Sequence, residues 1–297
     1  MYDVVCAGAV YLDLTFAGLD GLPRAGEERW ARELLLSPGG MANTAVGLSR
    51  LGLKTAILSP LGRDMAGQYL RVLLENEGIA CEGESVARSA MTAVMPVDGD
   101  RAMVSFEPHD ARVSRSLADV QARAIVRLLD ESGVRSTSTP VYAVTSHAQV
   151  HAAAAGRPPA ACPRLHALIS NEQEALALSR ARTAEDAARS LSEAAGTAVV
   201  TLGARGAVAA SGGCAERVAA PRVEVRDATG AGDLFAAAYI WADLQGMPLR
   251  ERLEWATLYA ALSLRALTAF GGAVRLPELL AHAQHAGDRR NLHVADD

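Results

Sequence analysis

Asp233 follows Gly230-Ala231-Gly232 and precedes the apolar, Ala-rich run Leu234 to Trp241. Glycines let a backbone turn tightly and approach a ligand closely. The run after them has the composition of a buried helix. The first N–H groups of such a helix lack intrahelical partners and attract anions. A carboxylate beside an anion site is repelled by the anion, so its presence calls for a reason. One is to take the proton from a hydroxyl that attacks a phosphate. The other is simply to cap the helix, and the local pattern leaves both open.

A second glycine pair, Gly39-Gly40, precedes another predicted helix that carries Asn43 near its start, as a cap or as a ligand contact. Asn171-Glu-Gln-Glu174 begins a helix at the end of a predicted strand, where open α/β sheets bind ligands. Its acids equally suit the helix dipole. Thr201 to Gly206 is a glycine-punctuated turn, and Asp13 ends the first strand region. Lys54 is the only lysine, and Leu53 rather than glycine precedes it, so no P-loop exists. Any ATP chemistry proceeds without a Walker lysine, and a Schiff base is disfavoured because Lys54 falls just before a core strand.

Apolar strand-like runs alternate with helical periodicity through most of the 297 residues. This predicts an α/β fold with a mainly parallel sheet covered on both faces. Helices are expected from Asn43 to Leu51, from Asp64 to Asn76, from Ser116 to Glu131, after Thr183, and through the C-terminal third. Strands are expected at Val4–Val10, Thr55–Ser59, Val141–Val144, Leu165–Ser170, Thr197–Thr201, Ala207–Ala210 and Arg222–Val225. Four alternating pieces break the rhythm: Tyr11–Phe16, Trp30–Leu36, Ala90–Val97 and Arg101–Glu107. The last two are joined through Asp98-Gly99, a hairpin signal. These four are predicted to form a small separate sheet. The formal net charge of −5 gives no case for nucleic acid or anionic membrane. No apolar run reaches membrane-spanning length, and the N-terminus lacks a basic leader, so a cytoplasmic location is expected. The scattered Cys6, Cys81, Cys162 and Cys214 suit a reducing compartment. His147 and His151 have no carboxylate in register to complete a metal site.

Taken together, these elements resemble the ribokinase family of ATP-dependent sugar and nucleoside kinases. Gly39-Gly40-Met41-Ala42-Asn43 is similar to its N-terminal signature, and Asp227-Ala-Thr-Gly-Ala-Gly-Asp233 to its second. Asn171 to Glu174 and Thr201 to Gly206 match elements that lie between them in the family's order. The resemblance implies a three-layer α/β/α domain (1–11, 38–88 and 108–297) and a β-sheet lid (12–37 and 89–107). It implies Asp233 as general base and the N–H groups of Gly230, Ala231 and Gly232 as anion hole. Asn171 and Glu174 would organise Mg2+ and phosphates through water. Thr201, Gly203, Gly206, Ala260 and Gly272 would shape the nucleotide site. Asp13, Gly39, Gly40 and Asn43 would line the acceptor pocket. Asp227 and Thr229 would be candidates for a monovalent cation such as K+, and the lid would make a homodimer.

The sequence departs from the family in two places. Met41 stands where a small residue or proline is usual. The region from Ser132 to Pro163 shows one clear strand instead of two, followed by Thr145-Ser146-His147. The leading expectation is a kinase acting on a hydroxyl of a small sugar. A nucleoside kinase such as a pseudouridine kinase is the first alternative, because Trp241 and Gly246-Met-Pro248 look somewhat similar to those enzymes. A catalytically silent sugar or nucleotide sensor is the second. A dehydrogenase is excluded: Gly8-Ala-Val-Tyr-Leu-Asp13 lacks the dinucleotide fingerprint.

Overall fold

The apolar residues after Tyr2 form the central strand β1 (Tyr2–Ala7), flanked in parallel by β4 (Thr55–Leu58) and β10 (Ala122–Leu128). A computed structural model describes residues 1–97, 100–108, 121–129, 138–146 and 165–292. Among these, the main sheet continues on one side to β6 (Ala80–Cys81). On the other it passes through β11 (Val141–Val144), β12 (Leu165–Asn171) and β13 (Ala195–Thr201). All of these run parallel, and β14 (Ala207–Ser211) and β15 (Cys214–Val218) close the edge as an antiparallel hairpin. A two-residue ladder of β5 (Leu61–Gly62) and β7 (Ser85–Val86) stands apart.

One face of the sheet is covered by α1 (Met41–Arg50), α2 (Met65–Asn76), α5 (Ala231–Leu244) and α6 (Leu249–Ser263). The other face packs on α3 (Glu172–Ser179) and α4 (Ala184–Ser192). A short α7 (Ala269–Gly272) and α8 (Leu276–Leu292) complete the chain. The result is the three-layer α/β/α arrangement, since a sheet apolar on both faces must be covered on both. Among the described residues, no helix is long and apolar enough to cross a membrane.

Helix α5 is buried from Leu234 to Ala242, as its composition demands. Its contact with α1 is very close: a Cβ on Gly47 would lie 2.7 Å from the Ala237 Cβ. The two helices run parallel, because the pair one turn earlier, Asn43 and Asp233, also touches. Both N-termini therefore open on the same place, the carboxyl edge of the sheet.

The second sheet has the order β3-β2-β8-β9, from β3 (Glu33–Gly40), β2 (Val10–Ala17), β8 (Ala90–Val97) and β9 (Asp100–Phe106). Val97 pairs with Asp100, which gives the predicted hairpin, although residues 98 and 99 lie outside the described set. Register gives one face most of the sheet's polar residues, mixed with Leu35, Val94 and Met103. Tyr11, Asp13, Thr15, Ser37, Thr92, Arg101 and Ser105 share one face. Leu12, Leu14, Phe16, Leu34, Leu36, Met91, Ala93, Met95, Val104 and Phe106 share the other.

Two expectations fail. The helix predicted over Ser116–Glu131 contains strand β10 instead, from Ala122 to Leu128. Ala, Arg and Leu favour helix in isolation, but Ala124, Ile125 and Val126 are fully buried between β1 and β11. Tertiary pairing overrides propensity there. Strand β10 lies before the Ser132–Pro163 region, in which the described residues hold β11 alone. Arg222–Val225 is irregular rather than a strand, with β15 formed earlier at Cys214–Val218. That ladder ends at Val218 opposite Ala207, the first residue of β14, and the segment after it borders a cavity. His147, His151 and residues 132–137 of the departing region lie outside the described residues.

Candidate active site

Asp233 sits in the first turn of α5, where its Oδ2 accepts a hydrogen bond from Asn43 Nδ2 at 3.0 Å. Thr44 Oγ1 donates to the Asp233 carbonyl at 3.4 Å. Burial pushes the Asp233 carboxyl up to about 6; the Asn43 bond and the charge of Arg101 pull it down, and Glu174 pushes it up. Such a group is ionised at neutral pH yet basic enough to take a proton.

The turn before it depends on Gly230, which has φ +72° and caps the helix. A Cβ there would lie 2.3 Å from the Ala269 Cβ and 3.1 Å from Asn43 Nδ2, so α7 and Asn43 enclose it. A Cβ on Gly232 would meet nothing within 4 Å, which leaves open space over the helix end. The Ala231 N–H closes the turn with a long bond of 3.3 Å to the Ala228 carbonyl. Asp227 braces the turn: its two oxygens accept from Thr229 N and Thr268 N, both at 2.8 Å. Thr268 has φ +61°, a strained position for a β-branched residue, and Asp227 holds it there. Thr229 Oγ1 is buried without a hydrogen-bond partner.

Asp13 faces this turn from the small sheet. Its carboxyl is raised to about 7, first by burial and then by the negative charge of Asp233, while a hydrogen bond from Thr92 lowers it. Gly39 exists to admit it: a Cβ at 39 would stand 2.0 Å from Asp13 Oδ2. Gly40, with φ +62°, caps α1 and passes within 2.5 Å (for a built Cβ) of the Ala9 carbonyl. The predicted set Asp13, Gly39, Gly40, Asn43, Gly230 and Asp233 is therefore one neighbourhood.

A cavity of about 590 Å³ lies beyond Gly232, lined mainly by apolar atoms. Thr201, Gly203, Gly206, Ala231, Gly232 and Ala260 border it, together with Val223 and Val225 of the irregular segment. Gly206, at φ +93°, lets the Thr201 turn pass against β15, since a Cβ would lie 1.9 Å from the Val218 carbonyl. Gly272 does not border the cavity; a Cβ on it would meet the Ser263 carbonyl at 2.4 Å, so it packs α7 on α6.

Asn171 and Glu174 form a reciprocal capping box at the start of α3, with Asn171 Oδ1 accepting from Glu174 N at 2.9 Å. Register pairs Asn171 with Thr201, so they sit beside the cavity and outside its lining. Glu174 Oε2 also accepts from the Thr145 hydroxyl, which gives a role to the polar element that follows β11. Among the described residues no cluster of three or more His, Cys, Asp or Glu could hold a metal.

Sequence reasoning missed Thr92, Thr44 and Arg101. Thr92 and Arg101 carried a signal, because alternation puts them on the Asp13 face once the four pieces are paired. Thr44 carried none.

A sequence model of the pfkB family of carbohydrate kinases matches residues 1–270. A ribokinase of Lactococcus lactis is 24% identical over 95% of this chain and 97% of its own. An ATP-dependent ribose-1-phosphate kinase of Halopiger xanaduensis is 28% identical over 89% of this chain and 92% of its own. The crystal structure of a ribokinase from Thermotoga maritima superposes with a TM-score of 0.81 at 22% identity, covering 96% of this chain and all of that one. With the fold shared and the family match spanning nearly the whole length, this chain belongs to the pfkB family of carbohydrate kinases.

Proposed function

We propose that the protein transfers the γ-phosphoryl group of ATP to a hydroxyl of a small sugar, with Asp233 as general base. The observation that carries this reading is the convergence of two parallel helix N-termini on one carboxylate, with Asp13 facing it. Helix ends attract the phosphate, and the paired acids attract a polyol. Asn43 holds Oδ2 of Asp233 and leaves Oδ1 for the acceptor. As the acceptor oxygen bonds to phosphorus and the bond to the ADP oxygen breaks, the hydroxyl proton passes to Asp233. The N–H groups of Gly230, Ala231 and Gly232 receive the charge on the transferring group. The cavity is of a size and polarity suited to a nucleobase, with Thr201, Gly203, Gly206 and Ala260 around it. Gly272 would act only by seating α7.

The residues fit Mg2+ in one way only. With no cage among the described residues, phosphate and water would supply most ligands, and Glu174 with Asn171 would contribute through water. Mg2+ supplies charge neutralisation on the phosphates. A monovalent cation such as K+ fits beside the turn, because Thr229 Oγ1 is buried and unpartnered next to Asp227. The lid reading assigns the four-stranded sheet to closure over the acceptor, and its far face to a homodimer.

An ADP-release assay over hexoses, pentoses, sugar acids, sugar phosphates and nucleosides tests the activity. Turnover is expected for at least one sugar, and ATP binding with no turnover on any compound would favour a silent sensor. Preferred turnover of a nucleoside would move the reading to a nucleoside kinase. Asp233→Asn is expected to lower kcat by roughly 10²–10⁴-fold with ATP affinity retained; a variant that keeps most of its turnover removes Asp233 as base.

A further inference from the structure

We infer that Arg50 is a positioning residue for the anion hole: it holds α7 in place, and α7 walls Gly230. This rests on the kinase reading above and adds a residue away from the reacting atoms. Arg50 stands at the end of α1, roughly 10 Å along the helix from Asn43 at about 1.5 Å per residue. Its guanidinium is divided between two partners. Nε and Nη2 donate to the two oxygens of Glu77, just past the end of α2, at 2.9 and 2.7 Å. Nη1 donates to the carbonyls of Phe270 and Ala273 at 2.7 and 2.6 Å. The guanidinium carbon also lies 4.7 Å from the centre of the Phe270 ring. The Arg50 and Glu77 side chains are only 12% and 10% exposed, and the hydrogen-bonded guanidinium holds the Glu77 carboxyl below its ordinary range.

The length of α7 explains why it needs an outside hold. It is a single turn, in which Gly272 N and Ala273 N donate back to the carbonyls of Thr268 and Ala269. One turn is not stable by itself, and its last carbonyls have no partner within the helix. Arg50 takes two of these orphans, and Tyr259 Oη donates to the Val274 carbonyl at 2.9 Å. Any shift of α7 reaches the candidate site through two contacts. Ala269, next to Phe270, presses on Gly230 so closely that a Cβ built there would lie 2.3 Å from its own. Thr268 N donates to Asp227, whose other oxygen holds Thr229 N. The N–H groups of Gly230, Ala231 and Gly232 therefore keep their direction only while α7 keeps its place. A rigid planar fork can serve a carboxylate along one edge and carbonyls at its tip, whereas an ammonium is a single point of charge.

The test is amide hydrogen exchange on the full chain, with kinetics alongside, for Arg50→Lys and for Arg275→Gln, which removes an exposed partner of Glu77. The amides to follow are those of Thr229 and Leu234, bonded to Asp227 Oδ1 and to the Gly230 carbonyl. Arg50→Lys is expected to speed their exchange at least about tenfold, together with that of residues 268–274, and to leave α4 at wild-type rates. Its kcat is expected to fall by roughly 10–100-fold with KM for ATP nearly unchanged, because misdirected donors fail the charge that develops during transfer. Arg275→Gln is expected to match the wild type in both measurements. If Arg50→Lys does not fold, Arg50→Gln combined with Glu77→Gln removes the ion pair without stranding a buried charge and carries the same expectations. Faster exchange at 268–274 alone, with Thr229 and Leu234 at wild-type rates, would overturn the inference. So would exchange that rises evenly through the chain, or a folded variant with wild-type kcat. Exchange needs no substrate, so a protein that phosphorylates no sugar would end the kinase reading and still leave the hold of α7 on Gly230 decided.

Discussion

The two facing carboxylates set the pH behaviour of single residues. Asp233, raised to about 6, must be ionised to act as base, so kcat/KM should fall as pH drops through 7 to 6. A flat profile from pH 8 to 5 would remove a raised carboxylate from the rate. Asn43→Ala deletes the bond that lowers Asp233, so the acidic limb should move to higher pH as turnover declines. Asp13 makes an opposite statement about stability. Its folded value of about 7 lies above an unfolded carboxylate near 3.8, so the native state keeps a proton that the unfolded chain releases between them. Stability therefore falls as pH rises across that window. Asp13→Asn should raise Tm by about 2–4 °C at pH 8 and leave it unchanged at pH 3, while weakening acceptor binding. Thermal scans at both pH values check the sign.

At the scale of elements, the geometry of the candidate site rests on the spacing of α1 and α5. Gly→Ala inside a helix ordinarily stabilises by about 0.5–1 kcal/mol. Gly47→Ala should instead destabilise by about 1–3 kcal/mol, because its Cβ would meet Ala237 at 2.7 Å and Leu234 at 3.0 Å. Urea denaturation measures the loss. Turnover should fall too, as Asn43 parts from Asp233. Part of this was legible in the chain: glycines before helices pointed to the candidate site and alternation named the small sheet, whereas Asp13, expected at the end of the first strand, lies in the middle of β2. Gly47 was not legible, since nothing local tells which helix lies against it. Strand β10 was misread for the same reason, its residues acquiring a strand's surroundings only beside β1. Arg222–Val225 alternates like a strand, but its apolar side chains border a cavity and pair with no neighbouring strand.

For the whole molecule, the outer part of the small sheet's far face is left uncovered among the described residues. Val104 is 67% exposed and Leu34 53%, in a face whose paired positions are mostly apolar, with Asp100 at the hairpin end and Leu12 buried against the main domain. Contiguous apolar surface of this kind marks an interaction site. If the proposed homodimer forms there, Leu36→Glu with Val104→Lys should give a monomer by sedimentation, with the main domain's Tm intact. A wild type that sediments as a monomer at micromolar concentration would end the dimer reading.

The solitary lysine has a practical outcome. Lys54 precedes β4 at the amino-terminal edge of the parallel sheet, its ammonium 5.6 Å from the centre of the Tyr2 ring. The cleft opens at the opposite, carboxyl edge. Amine-directed reagents such as succinimidyl esters can therefore modify only one side chain, and it lies on the back of the molecule. A fluorophore or a solid support attached there would report on, or hold, the protein with its working side left free.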